Sequence, residues 1–131
     1  MRSIFVNLAV ADLERSVAFF GALGFAFDPR FTNEKATCMV VADRIHVMLL
    51  VQPFFQGFTR KALCDPHRAT EVLICLGLES RAEVDRMAER AVAAGGRIPS
   101  PPQDHGFMYQ HGFEDPDGHL WELVYMSGTP G

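Results

Sequence analysis

The chain has 131 residues, enough for one domain that buries roughly two-thirds of its unfolded surface. Its net charge is −4 and its charges of both signs are mixed without a basic stripe, so we expect no nucleic-acid partner. The hydrophobic content of 48% is that of a globular protein, and because no apolar run reaches the roughly 18 residues of a membrane helix, we expect no membrane partner.

The first half of the sequence predicts a strand, a helix and two more strands. Residues 4–10 alternate in the manner of a strand. Asp12 is a good N-cap for a helix whose apolar residues fall at helical spacing, and Gly24 ends that helix. Residues 36–42 and 45–52 predict the two strands that follow.

The second half repeats this order of elements. A strand from Leu73 leads into a capping box formed by Ser80 and Glu83, which starts a second amphipathic helix. A pair of glycines ends the helix, and a proline-rich loop follows it. Residues 107–114 and 120–126 then predict two strands on either side of an Asp-Pro-Asp-Gly turn. The chain is therefore predicted to contain one unit twice.

The N-terminus and the cysteines indicate the cellular compartment. Asp12 and Glu14 come too early in the chain for a secretory signal. Cys38, Cys64 and Cys75 show neither C-x-x-C spacing nor a disulfide pattern, and we predict that they are buried free thiols. We therefore expect a cytoplasmic protein.

Glu122 is a carboxylate within the apolar run that follows the Asp-Pro-Asp-Gly turn. Strand alternation places Leu120, Glu122 and Val124 on one face and Trp121 on the other. An unpaired buried carboxylate costs several kcal/mol, so Glu122 needs a donor, a ligand or a proton. We favour a position facing a cavity; the simpler alternative is a carboxylate that bonds only to a tyrosine or to the main chain.

Two motifs carry a resemblance to a known superfamily. Residues 10–25 read V-x-D-L-x-R-S-x-x-F-F-x-x-L-G-F, and residues 115–123 read D-P-D-G-x-x-x-E-L. With the repeated organisation, this resembles the vicinal oxygen chelate superfamily, which contains glyoxalase I, extradiol dioxygenases and bleomycin-resistance proteins. The resemblance covers about residues 4–126, and it is nearest to predicted lactoylglutathione lyase-like members.

The resemblance implies a fold and a set of partners. The fold is α+β, with two βαβββ modules that form a curved mixed sheet around a cleft. It implies a single glyoxalase-like domain over residues 1–131, with module one at about 4–52, a linker at 53–70 and module two at about 71–126. A small-molecule ligand, a divalent metal in the cleft and a homodimer are also implied.

The resemblance further implies four metal ligands, one from the first and one from the fourth strand of each module. Glu122 matches one of them. The other three positions carry Phe5, Met48 and Leu73, which do not suit Zn²⁺, Fe²⁺ or Mn²⁺. Because most of the usual ligands are missing, we expect no cofactor beyond a possible divalent metal at Glu122.

A relocated metal site is an alternative. Each of these three positions has a polar residue two positions away, and residues two apart share a face of a strand. The polar residues are Asn7 beside Phe5, His46 beside Met48 and Glu71 beside Leu73. With Glu122 these would form a set of nitrogen and oxygen donors for a divalent-metal-dependent lyase or dioxygenase. This requires a coordinated change on three strands, and Glu71 stands close to the start of its strand.

Two functional classes remain open. In an enzyme, Glu122, Tyr109 and His105 would be catalytic, with a histidine titrating near neutral pH. In a metal-free binding module, a cleft walled by Phe, Trp and Met would sequester a drug or another aromatic ligand. The residues predicted to contact the ligand are Asn7, His46, Met48, Glu71 and His111. We favour a glyoxalase-like small-molecule-binding protein or enzyme without a competent metal centre, its reaction unassigned.

Overall fold

The computed structural model describes residues 1–128. It contains two compact units, one covering Met1–Leu63 and a second beginning at Cys64. Each unit contains one four-stranded mixed sheet. None of the helices within the described residues is long and apolar enough to span a membrane.

The first unit is a βαβββ module followed by a short helix. Its elements are β1 (Ile4–Val10), α1 (Leu13–Ala22), β2 (Ala26–Asp28), β3 (Ala36–Ala42), β4 (Ile45–Val51) and α2 (Gln52–Gln56), with a 3-10 turn at Pro29–Phe31. The strand order is β1-β4-β3-β2. The outer strand β1 runs parallel to β4, and the other pairs are antiparallel.

The second unit has the same order of elements. They are β5 (Leu73–Gly77), α3 (Arg81–Ala93), β6 (Gln103–Asp104), β7 (Met108–Glu114) and β8 (Leu120–Met126). The strand order β5-β8-β7-β6 repeats that of the first unit, again with a parallel outer pair. The predicted α+β fold class with two βαβββ modules is thereby confirmed.

Both long helices begin at the predicted caps. The Asp12 carboxylate accepts the main-chain N–H of Arg15 at 3.2 Å, and the Ser80 hydroxyl accepts that of Glu83 at 3.1 Å. A capping box would pair the Glu83 carboxylate with the N–H of the cap residue, Ser80. In the structure this carboxylate accepts the N–H of the preceding residue, Glu79, at 2.9 Å. The bonds to Asp12 and Ser80 satisfy main-chain donors that the first turn of a helix leaves unpaired.

The turn before β8 is organised by Asp115. Its carboxylate is buried and accepts hydrogen bonds from the N–H groups of Asp117 and His119, each at 3.0 Å, and from the Trp121 indole at 3.1 Å. Gly118 has a φ of 97° and packs against His67, which leaves no space for a side chain. The turn thus fixes where β8 begins.

The burial of two of the three cysteines differs from the prediction. Cys38 on β3 is buried, but Cys64 and Cys75 are exposed, so the prediction of three buried thiols is wrong for two of them. Cys75 lies on β5, an outer strand with a neighbour on only one side. An outer strand shields its side chains less than a central strand such as β3.

Candidate functional site

Glu122 lies on β8 between β5 and β7. Its register partners are Cys75 on β5 and Gly112 on β7, and partners in a register share a face of the sheet. Gln110 lies on the same face and donates its side-chain N–H to Glu122 Oε2 at 2.7 Å. We call the surface formed by Leu73, Cys75, Gln110, Gly112 and Glu122 the Glu122 face. The partner of the carboxylate is thus an amide, rather than the tyrosine or main chain of the simpler alternative.

A cavity of about 230 Å³ adjoins this carboxylate. Its walls include Leu73, Pro99, Pro101 and the side chains of Gln103 and Gln110. Among the described residues that line the cavity, Glu122 is the only acidic one. Ser100 and His111 also line it, so the cavity combines apolar walls with one carboxylate, two amides and these two further polar residues.

Gly112 keeps the two central strands close beside Glu122. A Cβ at this position would lie 2.6 Å from the Trp121 carbonyl oxygen and 3.6 Å from the Cα of Glu122. Real side chains do not tolerate the first of these distances. The close approach of β7 and β8 at Glu122 therefore requires glycine.

Cys75 brings an exposed thiol to the same face. Burial against the sheet raises the pKa of this thiol, and the neighbouring charge of Glu122 raises it further. The thiol therefore stays protonated at neutral pH and reacts slowly with electrophiles. Because Cys75 is exposed beside Glu122, the rate at which its thiol is alkylated reports how accessible the Glu122 face is.

Tyr109 and His111 lie on the other side of β7. Their register partners are Tyr125 and Leu123, so their side chains lie on the face of β7 opposite to Glu122, although His111 also contributes to the lining of the cavity. The Tyr109 hydroxyl donates to Asp85 at 2.5 Å; this bond, aided by burial, raises the pKa of Tyr109.

Arg81 also contacts Tyr109, with its guanidinium 4.9 Å from the ring centroid, and it forms a 2.7 Å salt bridge with Asp104. His105 is exposed in the loop between β6 and β7, where its main-chain N–H bonds to Met108 at 2.8 Å. The structure therefore does not bring the predicted catalytic group together: strand alternation separates Glu122 from Tyr109, and the loop places His105 outside the sheet.

The first module presents the corresponding surface on β1 and β4. Phe5 stacks on His46, with ring centroids 4.6 Å apart and 12° between the planes. Asn7 is the register partner of Met48, so the predicted pairs Asn7 with Phe5 and His46 with Met48 do share a face. The Nδ1 atoms of His46 and, in the second module, His111 are buried without a hydrogen-bond partner among the described residues.

Met48 and Glu122 occupy matching positions in the two modules. Met48 pairs with Asn7, five residues before the cap Asp12, and Glu122 pairs with Cys75, five residues before the cap Ser80. The first module therefore carries a thioether where the second carries a carboxylate.

The donor set does not fit the divalent metal that the resemblance implies. A transition metal in a protein needs several nitrogen, oxygen or thiolate ligands. Within residues 1–128, no three His, Cys, Asp or Glu side chains come together in a way that could hold an ion. Glu71, one of the predicted relocated donors, lies before β5 begins and is exposed.

Comparisons with known proteins agree with this architecture. The family described as "Bleomycin resistance protein-like N-terminal" matches residues 2–42. Hypothetical protein SA1046 from S. aureus is 30% identical with a TM-score of 0.82, over 95% of this chain and 94% of that one. A glyoxalase-related enzyme from Fulvimarina pelagi is 25% identical with a TM-score of 0.80, over 95% and 88% of the two chains. A glyoxalase/bleomycin resistance protein/dioxygenase from Nocardioides is 25% identical with a TM-score of 0.75, over 100% and 88%. No curated protein sequence matches this chain.

Proposed function

The chain belongs to the vicinal oxygen chelate superfamily, and from this membership we propose that it binds a small organic molecule at Glu122 without the divalent metal usual in that superfamily. The observation that carries the proposal is the half-buried carboxylate at the edge of a partly apolar cavity. Small-molecule sites commonly combine apolar walls with a few polar groups that orient the ligand.

The hydrogen bonding of Glu122 indicates the chemistry of the ligand. Gln110 donates to Oε2, and no described residue donates to Oε1. A partly buried carboxylate gains from a second donor, since water reaches it less freely than on an open surface. The proposed ligand therefore carries an amine or another hydrogen-bond donor on an apolar, aromatic body.

The apolar part of this ligand would contact Leu73 and the two prolines, Pro99 and Pro101. These side chains form a rigid wall, because proline has little conformational freedom to lose on binding. We propose sequestration of such a ligand rather than its turnover, because Glu122 and His111 are the only titratable residues among the described residues that line the cavity, and strand alternation places their side chains on opposite faces of the sheet.

The relocated metal site is the weaker alternative. It requires Asn7, His46 and Glu71 to join Glu122 around an ion, and the described donors form no such group. We therefore assign no lyase or dioxygenase step. Elemental analysis of purified protein decides the matter: a stoichiometric divalent metal that is lost in Glu122→Ala would contradict metal-free binding.

We also propose that the protein is a homodimer in solution. Phe5 and Leu73 are 50% and 53% exposed, although both are large apolar side chains within sheets. Apolar surface of this kind favours association with another surface. Light scattering after size exclusion should give twice the 14.6 kDa chain mass, and a monomer across the accessible concentrations would contradict the proposal.

The binding proposal is tested with naphthylmethylamine, an aromatic amine, and naphthylmethanol, its neutral match. Calorimetry should give weaker binding of the amine to Glu122→Gln by about tenfold, the effect of losing one charge-assisted hydrogen bond. Glu89→Gln, at an exposed position on α3, is the matched control and should bind as the wild type does. No amine binding, or equal binding by the wild type and Glu122→Gln, would contradict the proposal.

Alkylation gives a second readout at the same face. Saturating amine should slow the reaction of Cys75 with iodoacetamide, because the ligand covers the strand that carries this thiol. Cys64 is exposed in another segment and serves as the internal control in the same peptide map. Protection of both cysteines would indicate a general effect on the fold, whereas protection of Cys75 alone supports binding at the Glu122 face.

A further inference from the structure

A second cavity lies in the first module beside α2. Its volume is about 470 Å³, and its walls are formed by Lys35, Val51, Pro53, Phe54, Gly57 and Phe58. Cavities that bind small molecules commonly measure roughly 300–1,000 Å³. We propose that this cavity, the α2 cavity, binds a small amphipathic anion: an aromatic carboxylate whose ring packs on Phe54 and Phe58 and whose charge pairs with Lys35. This site is independent of the function proposed for Glu122.

The aromatic wall of the α2 cavity is held in place although it is exposed. Phe54 and Phe58 meet edge to face, with centroids 5.2 Å apart, and Phe58 is 71% exposed. An edge-to-face pair leaves ring surface available to a further aromatic ring. The two adjoining rings form contiguous apolar surface at the cavity, which is typical of ligand-binding grooves.

The segment that carries Phe58 is fixed by hydrogen bonds. The Gln56 side-chain amide donates to the carbonyl oxygens of Thr59 at 3.1 Å and Lys61 at 2.8 Å. The N–H of Phe58 donates to the Phe55 carbonyl at 3.0 Å. Because the segment is already ordered, a ligand would lose little free energy in ordering it on binding.

Lys35 supplies the charge that selects an anion. It is the only charged residue among the described residues that line the cavity, and it forms no salt bridge within residues 1–128. Its main chain is fixed, since its carbonyl accepts the N–H of Val51 at 2.9 Å and its N–H donates to the Asn33 side chain at 2.8 Å. An ammonium beside an apolar wall, with no carboxylate to neutralise it, is complementary to a molecule with one apolar and one anionic end.

Naphthoate tests the proposal, with naphthamide as the uncharged molecule of the same shape. Calorimetry on the wild-type protein should show that naphthoate binds at least about tenfold more tightly than naphthamide, the difference expected from one ion pair. Lys35→Glu and Phe58→Ser should each weaken naphthoate binding by about tenfold or more. Both residues are exposed, so the variants should melt as the wild type does.

Two control variants locate the site. Lys61→Glu makes the same charge change outside the lining of the α2 cavity, and Glu122→Gln changes the second module; both should keep wild-type affinity for naphthoate. Absent binding, equal affinities for naphthoate and naphthamide, or loss of affinity in a control variant alone would overturn the proposal. It would also be overturned if Phe58→Ser converted a dimer to a monomer without changing naphthoate affinity, because the phenylalanine would then belong to an interface between copies.

Discussion

Gln110 on β7 donates a 2.7 Å hydrogen bond across the sheet to the carboxylate of Glu122 on β8. The two residues are not register partners, because Gln110 pairs with Val124 and Glu122 with Gly112. The bond is therefore diagonal, within reach of long side chains on one face. It orients the carboxylate, and Oε1 accepts no hydrogen bond from any described residue.

Gln110→Ala should destabilise the protein by about 1–3 kcal/mol, because it removes the one donor that the described residues offer to a partly buried carboxylate. Urea unfolding monitored by circular dichroism measures the change. Gln103→Ala is the matched control: Gln103 lines the same cavity, but its side chain makes no hydrogen bond within the described residues. Equal losses in the two variants would show that the bond to Glu122 contributes nothing.

Gly112→Ala should cost about 1–3 kcal/mol in unfolding free energy, because its Cβ would force the Trp121 carbonyl away from β7. It should also weaken binding of the aromatic amine, since Glu122 follows Trp121 directly in the chain. Gly77→Ala is the comparison, as no atom lies within 4 Å of its Cβ position. That variant should be neutral or more stable by about 0.4–1 kcal/mol. A Gly112→Ala protein with wild-type stability would contradict the close approach of the strands.

Tyr109→Phe should destabilise the protein by about 1–3 kcal/mol while leaving amine binding unchanged, because its hydroxyl bonds to Asp85 on the α3 side of the sheet. Tyr125→Phe is matched in position and chemistry, since Tyr125 is the register partner of Tyr109 and its hydroxyl makes no hydrogen bond within residues 1–128. It should change the unfolding free energy less. Loss of amine binding in a stably folded Tyr109→Phe protein would support the catalytic or ligand-contacting role predicted from the sequence.

Asp115→Asn should alter how stability depends on pH. Burial raises the pKa of Asp115 above its ordinary value of 3.8, and the bonds from His119 and Trp121 offset this only in part. The folded state therefore holds its proton more tightly than the unfolded state. The stability contribution of this group is fully present below pH 3.8 and is lost as the pH rises through the raised pKa.

Urea unfolding of the wild type and Asp115→Asn at a series of pH values measures this contribution. The wild-type free energy of unfolding minus that of the variant should fall as the pH rises from 3.8 toward neutrality. The difference removes the titration of groups that both proteins share. A difference that rises over this range would mean that the turn stabilises the charged carboxylate, contrary to the direction given by its burial.

The fold class was predictable because its signals are local. Alternation in β1, β4 and β8, the caps at Asp12 and Ser80, and the glycines that end the helices all act between near neighbours in the chain. Strands β2 and β6 have only three and two residues, which is too short for alternation to be visible. Helix α2 has five residues and stands where the sequence shows no period.

The candidate site was predictable only in part. Alternation places Glu122 on one face of β8, and the register confirms that Leu120 and Val124 share it. The same rule separates Tyr109 from Glu122 only when the pairing of β7 with β8 is known. Gln110 could not be identified as the partner of Glu122, because many polar side chains on other strands were equally available.

The amino-acid sequence alone determined the two long helices and the longer strands, the repeat of the module and the chemistry at each ligand position, including a methionine at 48 and a glutamate at 122. These properties depend on residue type and on spacing along one segment. Only the tertiary structure decided that Glu122 meets Gln110, that Tyr109 bonds to Asp85, and that Phe54 and Phe58 form a wall beside Lys35. These contacts depend on strand register and on the conformation of the loops. Both are determined by many residues that are distant from one another in the sequence.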